Sequence, residues 1–434
     1  MATVTVKQSA LVLNTFMAKL QNELVAADVV TWKEHDAEMD DRNGMQVIEQ
    51  VGPKYKITQT SNGVKDLSSG VDDSVFGSEI FKITETFNAN MGWGDFVKIR
   101  DVGEARESEA LMGAAADMAN AIDAYVLGVA VKCSNSWVGT LGNNIDDTDE
   151  VVTAYTRLRE QGVPDSDLRA VMNFKDRQGL GDQVLNLAGP GEEAGKALRT
   201  GFSGNVGGVP TLFTQQLPSL TMGSRAGTIL VNGASQNVNY KDVATSAAPG
   251  QYMTQTIAID GLTGATDTIK AGEVFTIAGV YAYDNRKQAA LDYLQQFTVV
   301  SDATAATNAV AALRIFPAII VAGSGSGGDV NVNTAHATVS AAPADNAAIT
   351  FLGTASTAYT PRAIIQKQAV VVDTAPLILP ATGTAMRRKL QKVPLSVRMW
   401  QHSDFATGAH SIRFDCALTA NVRDRMRVCR FNGS

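Results

Sequence analysis

Gly103–Lys132 reads GEARESEALMGAAADMANAIDAYVLGVAVK and decides the fold. It contains no proline, and Leu111, Ala115, Met118, Ile122, Tyr125 and Val129 recur at intervals of three and four, one face of an α-helix. Asp101, Glu104, Glu107 and Glu109 crowd its start and Lys132 closes it, the polarity that the helix dipole favours. At 1.5 Å per residue the segment would reach ~45 Å, well beyond an ordinary globular helix. Its many alanines and glycines let other backbone approach closely, so it reads as a spine on which sheets lie. A long core helix of an enzyme would show the same periodicity.

On the amino-terminal side, residues 1–8 are β-branched and polar and read as an extended arm. Ser9 is placed to cap a helix in which Leu13, Phe16, Met17, Leu20 and Leu24 form one stripe. Lys54–Ser74 follows Gly52-Pro53, and its alternation at Tyr55, Ile57 and Gln59 before Asn62-Gly63 predicts a hairpin. That hairpin is polar on both faces, so neither face suits the interior of its own subunit. Glu79–Ile99 alternates more strongly, through Ile80, Lys82, Ile83 and Phe87, and leads through Trp93 into the spine.

On the carboxyl-terminal side, Asn143–Glu150 is an acidic loop, Val151–Glu160 a helix and Leu168–Asn173 a short buried strand. Gly179–Gly208 is glycine-rich, with helical signals near Glu192–Leu198. Together these predict a mixed α/β domain. At Gly223 the composition turns to Thr, Val, Ala, Gly and Asn in short alternating runs, and it stays so to about Gly353. Gln255–Asp260, Glu273–Tyr281, Phe297–Ser301, Ala311–Ile315 and Ile319–Ala322 read as strands with no helix among them, a small barrel or sandwich inserted in a host domain. At the end, Ile412, Phe414, Cys416, Leu418, Ala420 and Val422 share a face that Met426 and Val428 continue. Arg413, Arg423, Arg425 and Arg427 lie opposite, as in a long terminal strand pair packed on the spine.

The 434 residues predict two or three domains, and a hydrophobic content of 45% supports sizeable cores. The net charge of −7 argues against a dedicated nucleic-acid binder. Charge is uneven: residues 1–160 carry 14 Lys/Arg against 25 Asp/Glu, and residues 385–434 carry 10 against 3 Asp. Ends of opposite sign can attract copies of one chain to each other, with solvated surfaces at both ends as the plainer alternative. Cys133, Cys416 and Cys429 have no metal-type spacing and fit a reducing compartment without disulfides. The start of the chain lacks a secretory pattern, and no run of eighteen apolar residues occurs, so the expectation is a soluble protein with no membrane span.

No motif converges on catalysis. Gly189–Lys196 (GPGEEAGK) resembles a phosphate loop but carries Ala197 where the Mg²⁺-binding hydroxyl belongs, and reads as structural. Gly323–Gly328 (GSGSGG) is followed by the β-like Asp329–Thr334, so no helix N-terminus is expected to meet a pyrophosphate. His402, Asp404 and His410 are spaced too irregularly for a metal site. Lys54, Lys56 and Lys65 on the hairpin are expected to be solvated or salt-bridged, with isopeptide links between subunits as the sharper alternative.

Lys270–Val300 (KAGEVFTIAGVYAYDNRKQAALDYLQQFTVV) is the most specific text in the chain. Its Lys270-Ala271-Gly272, Phe275, Ala278-Gly279-Val280, polar loop and Phe297-Thr298-Val299-Val300 resemble the inserted β-barrel of coat proteins of the Salmonella short-tailed phage (P-twenty-two) family. Asn173-Phe174 within VMNFKDRQGLGD and Phe202–Ser224 are similar to further segments of that family, and the element order agrees over nearly the whole chain.

The resemblance implies an α+β tailed-phage capsid fold of the HK-ninety-seven type. Its parts would be an amino-terminal arm (1–35), an E-loop hairpin (45–80), a spine helix and P-domain (81–135) and an A-domain (136–222 and 354–385). An inserted β-barrel (223–353) and carboxyl-terminal P-domain strands (386–434) would complete it. It implies a major capsid protein without catalysis or cofactor, assembled in the host cytoplasm into hexamers and pentamers around double-stranded DNA. A scaffolding protein and a portal would take part. Its assembly contacts would be Lys54, Lys56, Lys65, Asp72 and Asp73 on the E-loop, Asp242 and Tyr252 on a barrel loop between capsomers, and Asp284, Arg286 and Lys287 on a loop facing the same capsomer. The net negative charge suits a shell that must release its DNA. A β-rich phage tail protein or surface adhesin is the competing reading.

Overall fold

The computed structural model describes residues 2–35, 45–56, 74–83, 85–92, 109–188, 205–403 and 410–433. The chain divides into two compact units, one of residues 1–47, 82–130 and 367–423, the other of residues 48–81, 131–366 and 424–434.

In the first unit the predicted spine forms as the helix Glu109–Lys132; the predicted start, 103–108, lies outside the described residues. Leu111, Ala115, Met118 and Ile122 are buried as the periodicity requires. Ala119, Val126 and Ala130 are buried too, so the covered stripe is wider than one row. By length and composition this helix is apolar enough to cross a membrane, and half of its most apolar window is buried within the chain. Asp123 is buried on it, and its carboxylate accepts hydrogen bonds from Val25 N (2.9 Å) and Ala26 N (2.8 Å). Those N–H groups open the single helical turn Ala26–Val29 and have no partner of their own within it.

The amino terminus departs from the expected extended arm, because Ala2–Glu23 is one helix. Its distal half buries Leu13, Phe16 and Leu20 completely, and Phe16 stacks on Phe414 with ring centroids 4.0 Å apart. Helical growth from such an anchored segment costs only a few tenths of a kcal/mol at each β-branched residue. Ser9 is therefore an interior helical residue and not a cap; its hydroxyl donates to Gln401 Oε1 at 3.0 Å.

The sheet of this unit is built around His410–Val422, which pairs antiparallel with Glu85–Gly92, Val370–Ala375 and Ser396–Ser403. Thr31–Glu34 joins parallel to Val370–Ala375, and Thr384–Lys389 antiparallel to Ser396–Ser403. Ile412, Phe414, Cys416 and Leu418 are fully buried, as their alternation predicts. The spine meets this sheet through Tyr125, whose ring lies edge-on to Phe87 and whose hydroxyl is 3.4 Å from Thr419 Oγ1. The predicted alternation forms a long strand pair, Ser396–Ser403 with His410–Val422, but does not run on through Met426 to Val428. Asp424 accepts a hydrogen bond from Met426 N and starts a 3₁₀ turn at Arg425–Arg427, which interrupts the alternation.

In the second unit, Val428–Phe431 pairs with Arg362–Gln366 and Ser136–Val138. That sheet continues through Leu168–Met172 and Val209–Phe213 to Asn205–Val206. The helix Asp149–Glu160 covers it with Val151, Ala154 and Leu158. Arg425 does not face solvent as expected; it is buried, and its guanidinium donates to Gly250 O at 2.8 Å.

Residues 227–351 supply a second six-stranded sheet in the order Gly227–Val231, Gln255–Leu262, Val310–Phe316, Ala289–Val299, Val274–Asp284 and Ile349–Phe351. Its two outermost strands meet through a bridge between Leu230 and Ala348, with Val231 N donating to Ala347 O and Asn346 N to Val231 O. Phe275, Ile277, Phe297, Leu313 and Ile315 fill its interior.

Two expectations fail in this segment. Ile319 and Ile320 are buried, but Ile319–Ala322 makes one bridge, between Val321 and Val339, in place of a strand ladder, and the Thr338 hydroxyl takes Ile320 N. Asp329–His336 is a helix and not β-like. Asn333 ties that helix to the chain around it: its amide donates to Asn239 Oδ1 and Ser324 O and accepts from Tyr240 N.

Candidate assembly site

Both limbs of the polar hairpin reach the same part of the second unit, although residues 57–73, including Lys65, Asp72 and Asp73, lie outside the described residues. On the outgoing limb, Lys54 N donates to His336 Nε2 (3.2 Å) and Lys56 Nζ to Asn331 Oδ1 (3.4 Å). Both acceptors belong to the helix Asp329–His336. On the returning limb, Ser78 N donates to Ala244 O and Ser246 N to Ser78 O. The two limbs touch where Tyr55 and Ser74 share a hydroxyl hydrogen bond of 3.2 Å.

Glu79 sits on the buried side of the strand Gly77–Ile83, together with Phe81 and Ile83. Its two oxygens accept from Gly250 N (2.7 Å) and Tyr252 N (2.9 Å). Burial raises its pKa, and those two bonds together with Arg425 oppose the shift. Gly77 is required here, since a Cβ would stand 2.5 Å from the Tyr252 ring. The His336 ring stacks on Tyr240 with centroids 3.5 Å apart, and burial pushes its pKa down to about 3. Its Nε2 is thus an unprotonated acceptor at any ordinary pH. Tyr240 Oη lies 3.4 Å from Tyr252 Oη, and burial raises the pKa of both phenols.

Of the residues expected to touch other copies, Lys54, Lys56 and Tyr252 are drawn into this cluster. Asp242 is exposed on the short helix Tyr240–Val243. Asp284, Arg286 and Lys287 form the turn between Val274–Asp284 and Ala289–Val299, where Asp284 Oδ1 accepts from the N–H groups of Arg286 and Lys287. Arg286 donates to Gly162 O at 2.8 Å, so this turn lies against the chain's own helix end, while Lys287 stays exposed. Lys54, Asp284 and Arg286 line one cavity of about 630 Å³, which also takes Tyr55, Glu160, Tyr293, Asp424 and Arg427. Its charged residues are of both signs, and none is a nucleophile paired with a base.

His336, Glu79 and Tyr240 were not anticipated from sequence. Glu79 carries a readable signal, an acid on the apolar parity of a strand. His336 carries a weaker one, an ionisable residue alone in the stretch Ala335–Ala342. His402, expected to be uninvolved in metal binding, packs its ring edge-on to Trp400, and Asp404 lies outside the described residues, as does Gly189–Lys196. Among the described residues no group of three His, Cys, Asp or Glu is placed to hold a metal ion.

Residues 1–426 match the family model described as P22 coat protein, gene protein 5. No curated protein matches the chain. Among solved structures, the capsid of Cyanophage P-SCSP1u is similar at 10% identity over 95% of this chain and 88% of that one, with a TM-score of 0.41. The mature capsid of bacteriophage PhiM1 is similar at 10% identity over 95% and 87%, with a TM-score of 0.42. The CUS-3 coat protein I-domain is similar at 23% identity over 30% of this chain and 98% of its own, with a TM-score of 0.21.

Proposed function

The chain belongs to the P22 coat protein family and is a major capsid protein whose copies form an icosahedral shell; from that premise we propose how the copies meet and what else they meet. The reading rests on the match of the family model to residues 1–426. Hexamers and pentamers build the shell, a scaffolding protein directs their assembly, a portal occupies one vertex, and double-stranded DNA is enclosed without sequence-specific contact. Synthesis and assembly take place in the host cytoplasm, and the chain carries out no catalysis.

Within a capsomer, Lys54–Ser74 lies over the adjacent subunit, which supplies partners to a segment polar on both faces. Lys54, Lys56, Lys65, Asp72 and Asp73 are its contacts, and the exposed Asp242 and Lys287 serve the contacts of the 223–353 segment. The opposite charges of residues 1–160 and 385–434 favour a head-to-tail arrangement. Deleting Val64–Ser74 tests the first contact. The variant is expected to keep the thermal unfolding transition of the subunit and to form no closed shells; normal shells from it would overturn the assignment.

A further inference from the structure

The hairpin is held at its base by residues far from it in sequence, and the two limbs are held in different ways. The returning limb is packed as core from Gly77 onward, with Phe76 before it 57% exposed. Glu79 is buried, Ser78 bridges to Thr245, and Val75 packs among Tyr240, Val243, Met253 and Phe316. The outgoing limb enters as the strand Met45–Val51, paired with Gly77–Ile83; beyond that strand Tyr55 is 56% exposed, and Lys54 N, Lys56 Nζ and the Tyr55 hydroxyl hydrogen-bond His336, Asn331 and Ser74. Past the end of that strand, its path at residues 54–56 therefore follows the helix Asp329–His336.

That helix is itself fixed. Asn333 binds three separate groups, and the His336 ring is clamped face to face with the buried Tyr240. A ring so placed presents Nε2 to one point in space, where the Lys54 N–H donates to it at 3.2 Å.

We propose that His336 is a positioning residue for shell assembly, which, with Asn331, pins the entry of the hairpin so that its two ends leave the subunit in one fixed relation. This rests on the reading of Lys54–Ser74 as the segment that lies over a neighbouring copy. Folding of the subunit does not need the pin, because the returning limb and the interior of the 227–351 sheet are packed without it. Assembly needs it, because a segment free to swing meets its neighbour at lower effective concentration and must be ordered as each contact forms.

Three variants of the full chain test this, by amide hydrogen exchange on the dilute subunit and by electron microscopy of assembled material. His336→Phe keeps the stack on Tyr240 and removes the acceptor; His336→Gln places an amide oxygen near the position of Nε2. Asn331→Ala, on the same helix, provides a second probe that leaves the Tyr240 stack intact. The expected result for His336→Phe is at least tenfold faster exchange at Lys54–Lys56, an unchanged unfolding transition, and a several-fold loss of closed shells. His336→Gln should restore most of both losses, and Asn331→Ala should show a smaller version of them. Unchanged exchange at Lys54–Lys56 in both His336→Phe and Asn331→Ala would overturn the pin. Faster exchange with normal shell yield would overturn its role in assembly, provided the Val64–Ser74 deletion still blocks shells. Normal shells from the deletion would instead remove the hairpin reading, and the proposal with it.

Discussion

Asp123 shows how one residue ties pH to the stability of the first unit. Burial pushes its carboxyl from 3.8 up to about 6, against the pull of the Ala26 and Val25 N–H groups. A carboxyl whose pKa is higher in the folded chain than in the unfolded one binds protons more tightly when folded. Its contribution is therefore complete below about pH 4 and declines as pH rises through about 6, by up to about 3 kcal/mol. Urea unfolding of the dilute subunit at pH 4.5 and 7.5 should show wild type losing stability relative to Asp123→Asn as pH rises. A gap that is constant or moves the other way would contradict this. Asp123 was not legible as a cap, because its partners are nearly a hundred residues away and only the fold brings them together. Phe16, Leu20, Ile412 and Phe414 were legible, since burial follows the same period that marks them in the sequence.

At the level of elements, helix periodicity and strand alternation gave the spine, the distal half of the first helix and the strand His410–Val422. They failed where a single side chain redirects the backbone. Asp424 stops an alternation that would otherwise run on to Val428, and Asn333 secures a helix over residues whose pattern reads as a strand. Two substitutions test the packing of elements. Phe16→Ala removes a fully buried ring stacked on Phe414 and should cost about 3–5 kcal/mol of subunit stability by denaturant unfolding. Gly179→Ala, inside the helix Phe174–Ala188, would ordinarily favour the helix by up to about 1 kcal/mol. Here a Cβ would stand 2.4 Å from Ile145 O, so a loss of about 1–3 kcal/mol is expected instead. A stabilised Gly179→Ala would show that this helix does not approach the Ile145 backbone so closely.

Across the whole molecule, the sequence carried more about what the chain belongs to than about how its parts touch. The text of Lys270–Val300 and the order of elements led to the coat protein family, which the match over residues 1–426 establishes. The hairpin base stayed hidden, because Lys54, Glu79, Tyr240 and His336 become neighbours only through long-range packing. The segment 223–353 is proposed to be a self-sufficient insertion. Expressed alone it should give a β-dominated circular-dichroism spectrum and a cooperative thermal transition, and a disordered spectrum would reject that boundary. The central claim is that this polypeptide completes itself with copies of its own kind. Electron microscopy of the purified chain, produced together with the proposed scaffolding partner, tests that most directly: the account predicts closed icosahedral shells, and material that remains as separate subunits under those conditions would contradict it.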